Sequence, residues 1–352
     1  MGWNPFRTVL ELVDRAGTAN TRAVGTVGAI SSPWSSGTLT RVLWSDIFGG
    51  DFAPVDRADA MQVPAIVKAR GLIAGTLARQ PLAAFRGATK LEGTDAPTWL
   101  YRTSSAQSPY QRMLWTIDDL IFGGTSLWTV DRDSRGRVIN ALRVPPEWWE
   151  VTADLEILVY GKPVEDGSVL LFEGPQDGLL EIARTDIRGA LDMAAAWSAR
   201  VKAPVPMAEL HQTEDVPLEQ DEIDKAISDW EAARASGGAT GLTPYGLELR
   251  VHGTASTDLF VEGRNASRLD IANLLQVPAS LLEGSMATAS LTYSTETGKR
   301  NELVDYSLSY WAAPIEARLS LDDVVPAGTR VAFDLTYFTG TDTPASGPAS
   351  ED

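Results

Sequence analysis

Apolar positions recur at helical spacing in two long runs of the N-terminal half. In "VPAIVKARGLIAGTLARQPL", residues 63–82, Val63, Ile66, Val67, Ile73, Ala74 and Leu77 fall on one face. Pro64 suits a first turn and Pro81 ends the run. In "SPYQRMLWTIDDLIFGG", residues 108–124, the predicted buried stripe is Met113, Ile117, Leu120 and Ile121. Ser108 is its N-cap, Pro109 its first helical residue, and Gly123 and Gly124 close it. Residues 1–16 carry a shorter amphipathic pattern through Phe6, Val9, Leu10 and Val13. Residues 17–50 are rich in Gly, Ser and Thr. With it, 1–50 reads as an extended N-terminal arm, whose isolated Trp34, Trp44 and Phe48 either anchor on a neighbour or belong to a loose terminus.

The pattern then shortens to strands. "SLWTV" and "VINALRVP" flank the polar turn "DRDSRGR" and predict a hairpin, and "WWEVT", "LEILVY" and "SVLLF" continue the sheet to about 172. From 186, "DIRGALDMAAAWSARV" is a thinly apolar helix, "APVPMAELHQ" is extended, and "LEQDEIDKAISDWEAARASGG" is a helix. The last has Glu219, Asp221 and Glu222 in its first turn, Arg234 near its end and a narrow buried face of Ile223, Ile227 and Trp230. "YGLELRVHG" is a strand, "RNASRLDIANLLQ" a helix stopped by Pro278, and "PASLLEG" one further turn. Residues 285–295, "SMATASLTYST", hold no charge. A helix over about 296–319 follows, with Leu303, Tyr306, Tyr310 and Ile315 along one side and a kink at Pro314, which lacks the backbone donor. "RVAFDLTYF", 330–338, is a last strand, and the polar tail 339–352 is expected to be disordered. The fold class is α+β.

Charge narrows the function. The 352 residues include 30 Lys and Arg against 47 Asp and Glu, a net charge of −17. A protein that clasps nucleic acid through phosphates is basic or carries a basic stripe. Here the densest basic spots are only Arg132, Arg135 and Arg137, and the pair Lys299 and Arg300. Cysteine is absent, which excludes disulfides, thiolate metal sites and a cysteine nucleophile. No run reaches the ~18 apolar residues of a membrane span, and the first residues carry acids instead of a signal-peptide core. The chain is expected to be soluble and assembled in a cytoplasm. Eleven tryptophans fit either an assembled protein or an ordinary core.

Candidate chemistry fails on inspection. "LTYSTETGKR", 291–300, ends like a phosphate loop, but a Walker A match needs Gly at 293 and Ser or Thr at 300, where the chain has Tyr293 and Arg300. "DRDSRGRVINAL" starts like a calcium loop, but Arg135 and Leu142 stand where oxygen ligands belong, so a hairpin turn explains it better. Only His211 and His252 exist, without metal spacing or a nucleophile elbow, and both read as solvated or edge histidines. Carboxylates fall on helix faces and first turns and read as solvated surface. No catalytic residue, cofactor or metal is expected.

In order and spacing, several stretches resemble the tailed-phage portal family of the HK97 type: "AIVKARGLIAGTLARQPL", "LIFGGTSLWTV", "GRVINALRVPPEWWEV", "DIANLLQVPASLLEG" and "TYSTETGKRNELVDYSLSYWAAPIEARLS". The resemblance spans about 55–335. It implies a portal fold: an α/β wing at 51–185, helical stem segments at 186–202 and 257–276, and a small α/β clip at 203–256. It also implies a tunnel loop and kinked pore helix within 277–319, and a terminal strand at 320–338 returning to the wing. A crown is expected to be minimal or absent. The implied function is a ring subunit, usually dodecameric, at a capsid vertex of the virion, assembled in the bacterial host cytoplasm. It is a passive conduit for double-stranded DNA that is not tightly bound. Implied partners are the major capsid protein, the large terminase and a head–tail adaptor, with no membrane. The tunnel loop would line the channel with Ser285, Met286, Thr288, Ser290, Thr292, Tyr293, Ser294 and Thr295. Lys299 and Arg300 would make a limited phosphate contact or an inter-subunit salt bridge. Glu219, Asp221, Glu222, Asp224 and Asp229 would form a partner face on the clip, or simply a solvated helix face. An ATP-driven packaging motor and a serine hydrolase using His211 or His252 are the competing readings.

Overall fold

The structure, a computed structural model, describes residues 3–20, 55–202, 208–212, 221, 223–225, 227, 228, 247–251, 261–282 and 301–335. The amphipathic pattern at the start of the chain is a helix, as its spacing predicts. Helix α1 (Phe6–Asn20) starts where Asn4 Oδ1 accepts the Phe6 N–H, and it buries Phe6 and Val9 against Leu127, Leu142, Val144 and Val159. An amphipathic stripe that finds an apolar sheet face docks instead of extending. Trp3 pairs with Val164 just ahead of it.

Helix α2 (Arg57–Ala60) opens on a capping box between Asp56 and Asp59. Helix α3 (Pro64–Leu77) turns Ile66, Ala69, Ile73 and Leu77 fully inward. Val67, expected on that face, is 41% exposed, because one residue past Ile66 is a rotation of about 100° around a helix. Strands β1 (Leu82–Arg86) and β2 (Thr89–Lys90) follow. Helix α4 (Pro109–Gly123) is capped by Ser108 and Gln111 reciprocally and ended by Gly124 at φ 76°. Met113, Ile117, Leu120 and Ile121 are buried, as their spacing predicts.

The hairpin is strands β3 (Thr125–Arg132) and β4 (Val138–Val144). The later strands do not simply continue its sheet. β5 (Trp149–Val151), β6 (Ile157–Val159) and β7 (Lys162–Pro163) form a separate three-stranded meander, while β8 (Val169–Glu173) pairs with β3. Pairing partners are a choice among non-local edges, which local alternation does not encode. Helices α5 (Leu179–Ile182) and α6 (Arg184–Lys202) come next.

Strands β9 (Ala208–Gln212) and β10 (Leu247–Val251) pair antiparallel. Helix α7 (Val261–Leu274) and the turn α8 (Ala279–Leu282) lead to a π-helical stretch, Leu303–Leu308, that continues into α9 (Ser309–Leu319) and strand β11 (Thr329–Phe333). β11 pairs with β1, at the edge of a β11–β1–β2 sheet.

The chain divides into two compact units, Met1–Leu191 with Arg264–Asp352, and Asp192–Gly263. The first holds two apolar clusters: the one that α1 makes with Leu127, Leu142, Val144 and Val159, and a larger one in which Trp128 and Phe172 meet at 4.7 Å and Trp311, Ile315 and Leu319 of α9 are buried. The second contains the β9–β10 pair. Ile223 and Ile227, expected to be buried, are 36% and 46% exposed there.

Candidate functional site

Helix α9, which follows the charge-free stretch in sequence, is anchored at both ends. α7 ends in a Schellman motif: Val277 N–H donates to Ala272 O (2.9 Å) and Gln276 N–H to Asn273 O (3.2 Å). Gln276 takes the left-handed position at φ 55°, and Pro278 prevents continuation. The next two orphan carbonyls are closed by side chains from elsewhere. Gln176 Nε2 donates to Leu274 O (2.8 Å), and Trp311 Nε1 to Leu275 O (3.1 Å). Tyr310 Oη donates to Gln176 Oε1 and Pro175 O, at 3.2 and 3.3 Å, and burial raises its pKa. The end of α7, the turn after β8 and the start of α9 are thereby tied at one point.

Gln276 has no steric reason to favour its left-handed backbone. Gln276→Gly is therefore expected to raise stability by about 1 kcal/mol, read as a higher Tm; an unchanged or lower Tm would show that the Gln276 side chain itself holds the cap.

The far end of α9 is clamped to two sheets. Glu316 Oε1 accepts the Phe333 N–H (2.8 Å), and Ser320 Oγ accepts the Val331 N–H (2.9 Å), which covers the free edge of β11. Burial raises the Glu316 pKa, opposed by the Phe333 N–H and by Arg330. Arg318 reaches Leu171 O of β8 and the Asp323 carboxylate, and Arg132 of β3 donates to Asp323 O (2.6 Å). Between the anchors and the upstream chain lies the π stretch. There Ser309 N–H and Ser309 Oγ both donate to Val304 O, the second at 2.8 Å, and the buried Ser307 hydroxyl has no partner. This change of register precedes Pro314, which sits within α9. Tyr306, expected along the helix's lined side, is 70% exposed.

Helix α4 carries a charged interior that its sequence concealed. Asp118 and Asp119, expected as solvated carboxylates, are 2% and 6% exposed. Arg57 grips Asp118 through Nε (2.7 Å) and Nη2 (3.1 Å), and Arg70 adds a bond at 2.6 Å. Arg143 takes Asp119 in a fork, and Ser126 Oγ donates to the same carboxylate (2.8 Å). Burial pushes the Asp119 pKa up to about 6 against the pull of Arg143. Arg112 is 1% exposed, donates to the carbonyls of Ala141, Trp99 and Leu100, and lies 4.6 Å over Trp128. Burial lowers its pKa to about 9, so it stays charged at neutral pH.

Of the expected site residues, Ser285, Met286, Thr288, Ser290, Thr292, Tyr293, Ser294, Thr295, Lys299 and Arg300 lie outside the described residues, as do Glu219, Glu222, Asp229, His252 and Trp230. Asp221 and Asp224 are described and exposed. His211 stands on β9 opposite Glu248. Asp133 of the rejected calcium loop accepts the N–H groups of Arg135 and Arg137 in the hairpin turn, and the Arg137 guanidinium lowers its pKa. Among the described residues no cluster of three or more His, Asp or Glu could hold a metal. A shallow depression of about 510 Å³ is lined by Gln176, Asp186, Asp270, Asn273, Leu274 and Gln276, which offers no nucleophile with a base.

Against known proteins, the phage portal protein family matches residues 64–345. The chain belongs to that family. A portal of the HK97 type is a ring subunit at a capsid vertex of the virion, and the family is structural. An HK97 family phage portal protein from Corynebacterium diphtheriae shares 30% identity with this portal at a TM-score of 0.65, over 82% of this chain and 99% of that one. The fold recurs in the neck of an empty gene transfer agent particle computed with C6 symmetry, at 16% identity and TM-score 0.56, covering 92% and 90% of the two chains. It recurs also in the neck of a native particle computed with C12 symmetry, at 16% identity and TM-score 0.52, covering 95% and 96%. No curated protein matches the portal chain.

Proposed function

We propose that twelve copies of this portal close around a bore through which double-stranded DNA passes during packaging and ejection, without gripping it and without chemistry. The observation that carries the reading is the net charge of −17 in a protein of this family. A ring of twelve carries about −200 formal charges before counterions screen them. Such a field centres a polyanion, whereas a basic lining would bind phosphates, release counterions and stall the duplex. The C12 symmetry of one gene transfer agent neck supports the copy number at the level of shared fold.

In this reading the uncharged loop is the constriction. Ser285, Thr288, Ser290, Thr292, Tyr293, Ser294, Thr295 and Met286 touch DNA without the charge-assisted bonds that would hold it. Lys299 and Arg300 pair with carboxylates of a neighbouring copy. The acidic helix around Asp221 and Asp224 faces the large terminase and then a head–tail adaptor, and the wing meets the major capsid protein. Assembly takes place in the host cytoplasm. The double anchorage of α9 supports the reading, since it gives a moving duplex a fixed frame to slide past.

Electron microscopy of the purified full chain should show closed rings with a central hole; monomers or open filaments alone would refute the proposal. Binding to a short duplex should be weaker than about 10⁻⁴ M at physiological salt, the weak end of non-specific binding. Tight affinity that falls steeply between 50 and 200 mM salt, a range in which a phosphate-gripping protein loses about 10³-fold or more, would overturn electrostatic indifference.

A further inference from the structure

The loop between β5 and β6 places a leucine where turn chemistry favours glycine. Thr152 N–H donates to Glu156 O (2.9 Å) and Leu155 N–H to Thr152 O (3.0 Å), which sets Leu155 at the left-handed position, φ 63°. Glycine or asparagine occupies such a position at little steric cost, and a γ-branched side chain does not. The side chain gains nothing within the fold, being 84% exposed, more than any other large apolar residue described. Tyr160 makes an instructive contrast. It is also left-handed, at φ 51°, but its ring lies 5.2 Å from that of Trp148 and its N–H donates to Trp148 O (2.8 Å), so local packing accounts for it.

Val151, the last residue of β5 before the loop, is 45% exposed. Exposed acids surround the pair in sequence: Glu147, Glu150, Asp154, Glu156, Glu165 and Asp166. The one lysine of the meander, Lys162, lies over the Trp3 ring. An apolar knob in a field of carboxylates is unsuited to DNA or to anionic lipid and complements a surface rimmed by cations.

We propose that Leu155, with Val151 beside the same loop, anchors a docking tip for a different protein of the particle, one that offers an apolar pocket rimmed by lysine and arginine. Backbone strain persists only where the surroundings over-determine it, and a side chain seated in a partner's desolvated pocket carries far more of the binding energy than the contacts around it. The proposal rests on the ring reading in that the partner is sought in assembled particles.

The test uses purified particles in which Leu155 is replaced by the photo-cross-linker p-benzoylphenylalanine. Irradiation should give an adduct to another polypeptide, with lysine or arginine in the cross-linked peptide; an adduct between two copies of this chain, or none, overturns the proposal. Leu155→Gly should leave ring formation intact and raise the Tm of the ring, while incorporation into particles falls about tenfold or more. The pair Glu150→Lys and Glu156→Lys should reproduce that loss. Unchanged incorporation sinks the proposal, and loss of rings in these variants would assign the loop to copy–copy contact and sink it equally. Failure of the parent chain to form rings would be seen before any variant is made, so the two readings fail separately.

Discussion

Gly178→Ala is expected to destabilise the portal by about 3 kcal/mol or more and to abolish ring yield at 37 °C. A Cβ on Gly178 would stand 2.4 Å from Phe122 O, 2.7 Å from Gly123 C and 2.8 Å from Gly123 Cα. All three are backbone atoms at the end of α4, so no side chain can swing away. The same crossing holds Gly124, where a Cβ would meet Gly178 N at 2.8 Å, and Gly174, whose N–H donates to Gly124 O at 2.7 Å. These glycines let the turn after β8 pass directly over the α4–β3 junction, which brings Gln176 to the end of α7. Gly189→Ala is the control: it lies exposed within α6 with nothing near a new Cβ, and should stabilise by about 0.5–1 kcal/mol. Thermal melts of the two variants decide it, and equal behaviour would mean that the crossing can relax.

Arg143→Met is expected to cost about 3–5 kcal/mol at pH 8, because it strands the Asp119 carboxylate without its counter-ion. The pH dependence has a definite sign. The folded-state pKa of Asp119 is already raised to about 6 by burial, so this group favours the folded state more as pH falls through that value. Loss of Arg143 raises it further, and protonation then removes the stranded charge. The penalty should therefore shrink between pH 8 and pH 5, and the double variant with Asp119→Asn should recover most of the loss at pH 8. A penalty that is independent of pH, or no recovery in the double variant, would show that Arg143 acts through its packing over Trp115 instead.

How much of this was legible follows the range of each interaction. Ser108, Pro109 and Gly124 mark the ends of α4 within a few residues, so their roles could be read directly; so could the hairpin around Gly136, which takes φ 77°. The split of the later strands into two sheets could not, since β8 chooses β3 across nearly 40 residues of chain. The charge-free stretch 285–295 and the family resemblance were visible as composition and order. The anchorage of α9 was not, since it is made by Gln176, Trp311, Glu316 and Arg318 acting on backbone groups of other elements. Nothing in "TIDDLIF" distinguishes Asp118 and Asp119 from surface acids, because their arginines come from three other segments.

By itself the sequence determined the α+β class, the boundaries of the capped elements and the acidic balance, because these depend on periodicity, local turn chemistry and composition; the order of its motifs carried the resemblance to the portal family. Tertiary structure alone decided which charges are buried, which glycines admit a crossing chain and which leucine is left strained in solvent. Those outcomes depend on groups that meet only after loops have closed, and the energy of each such meeting belongs to the pair and its surroundings, with no trace in either segment alone.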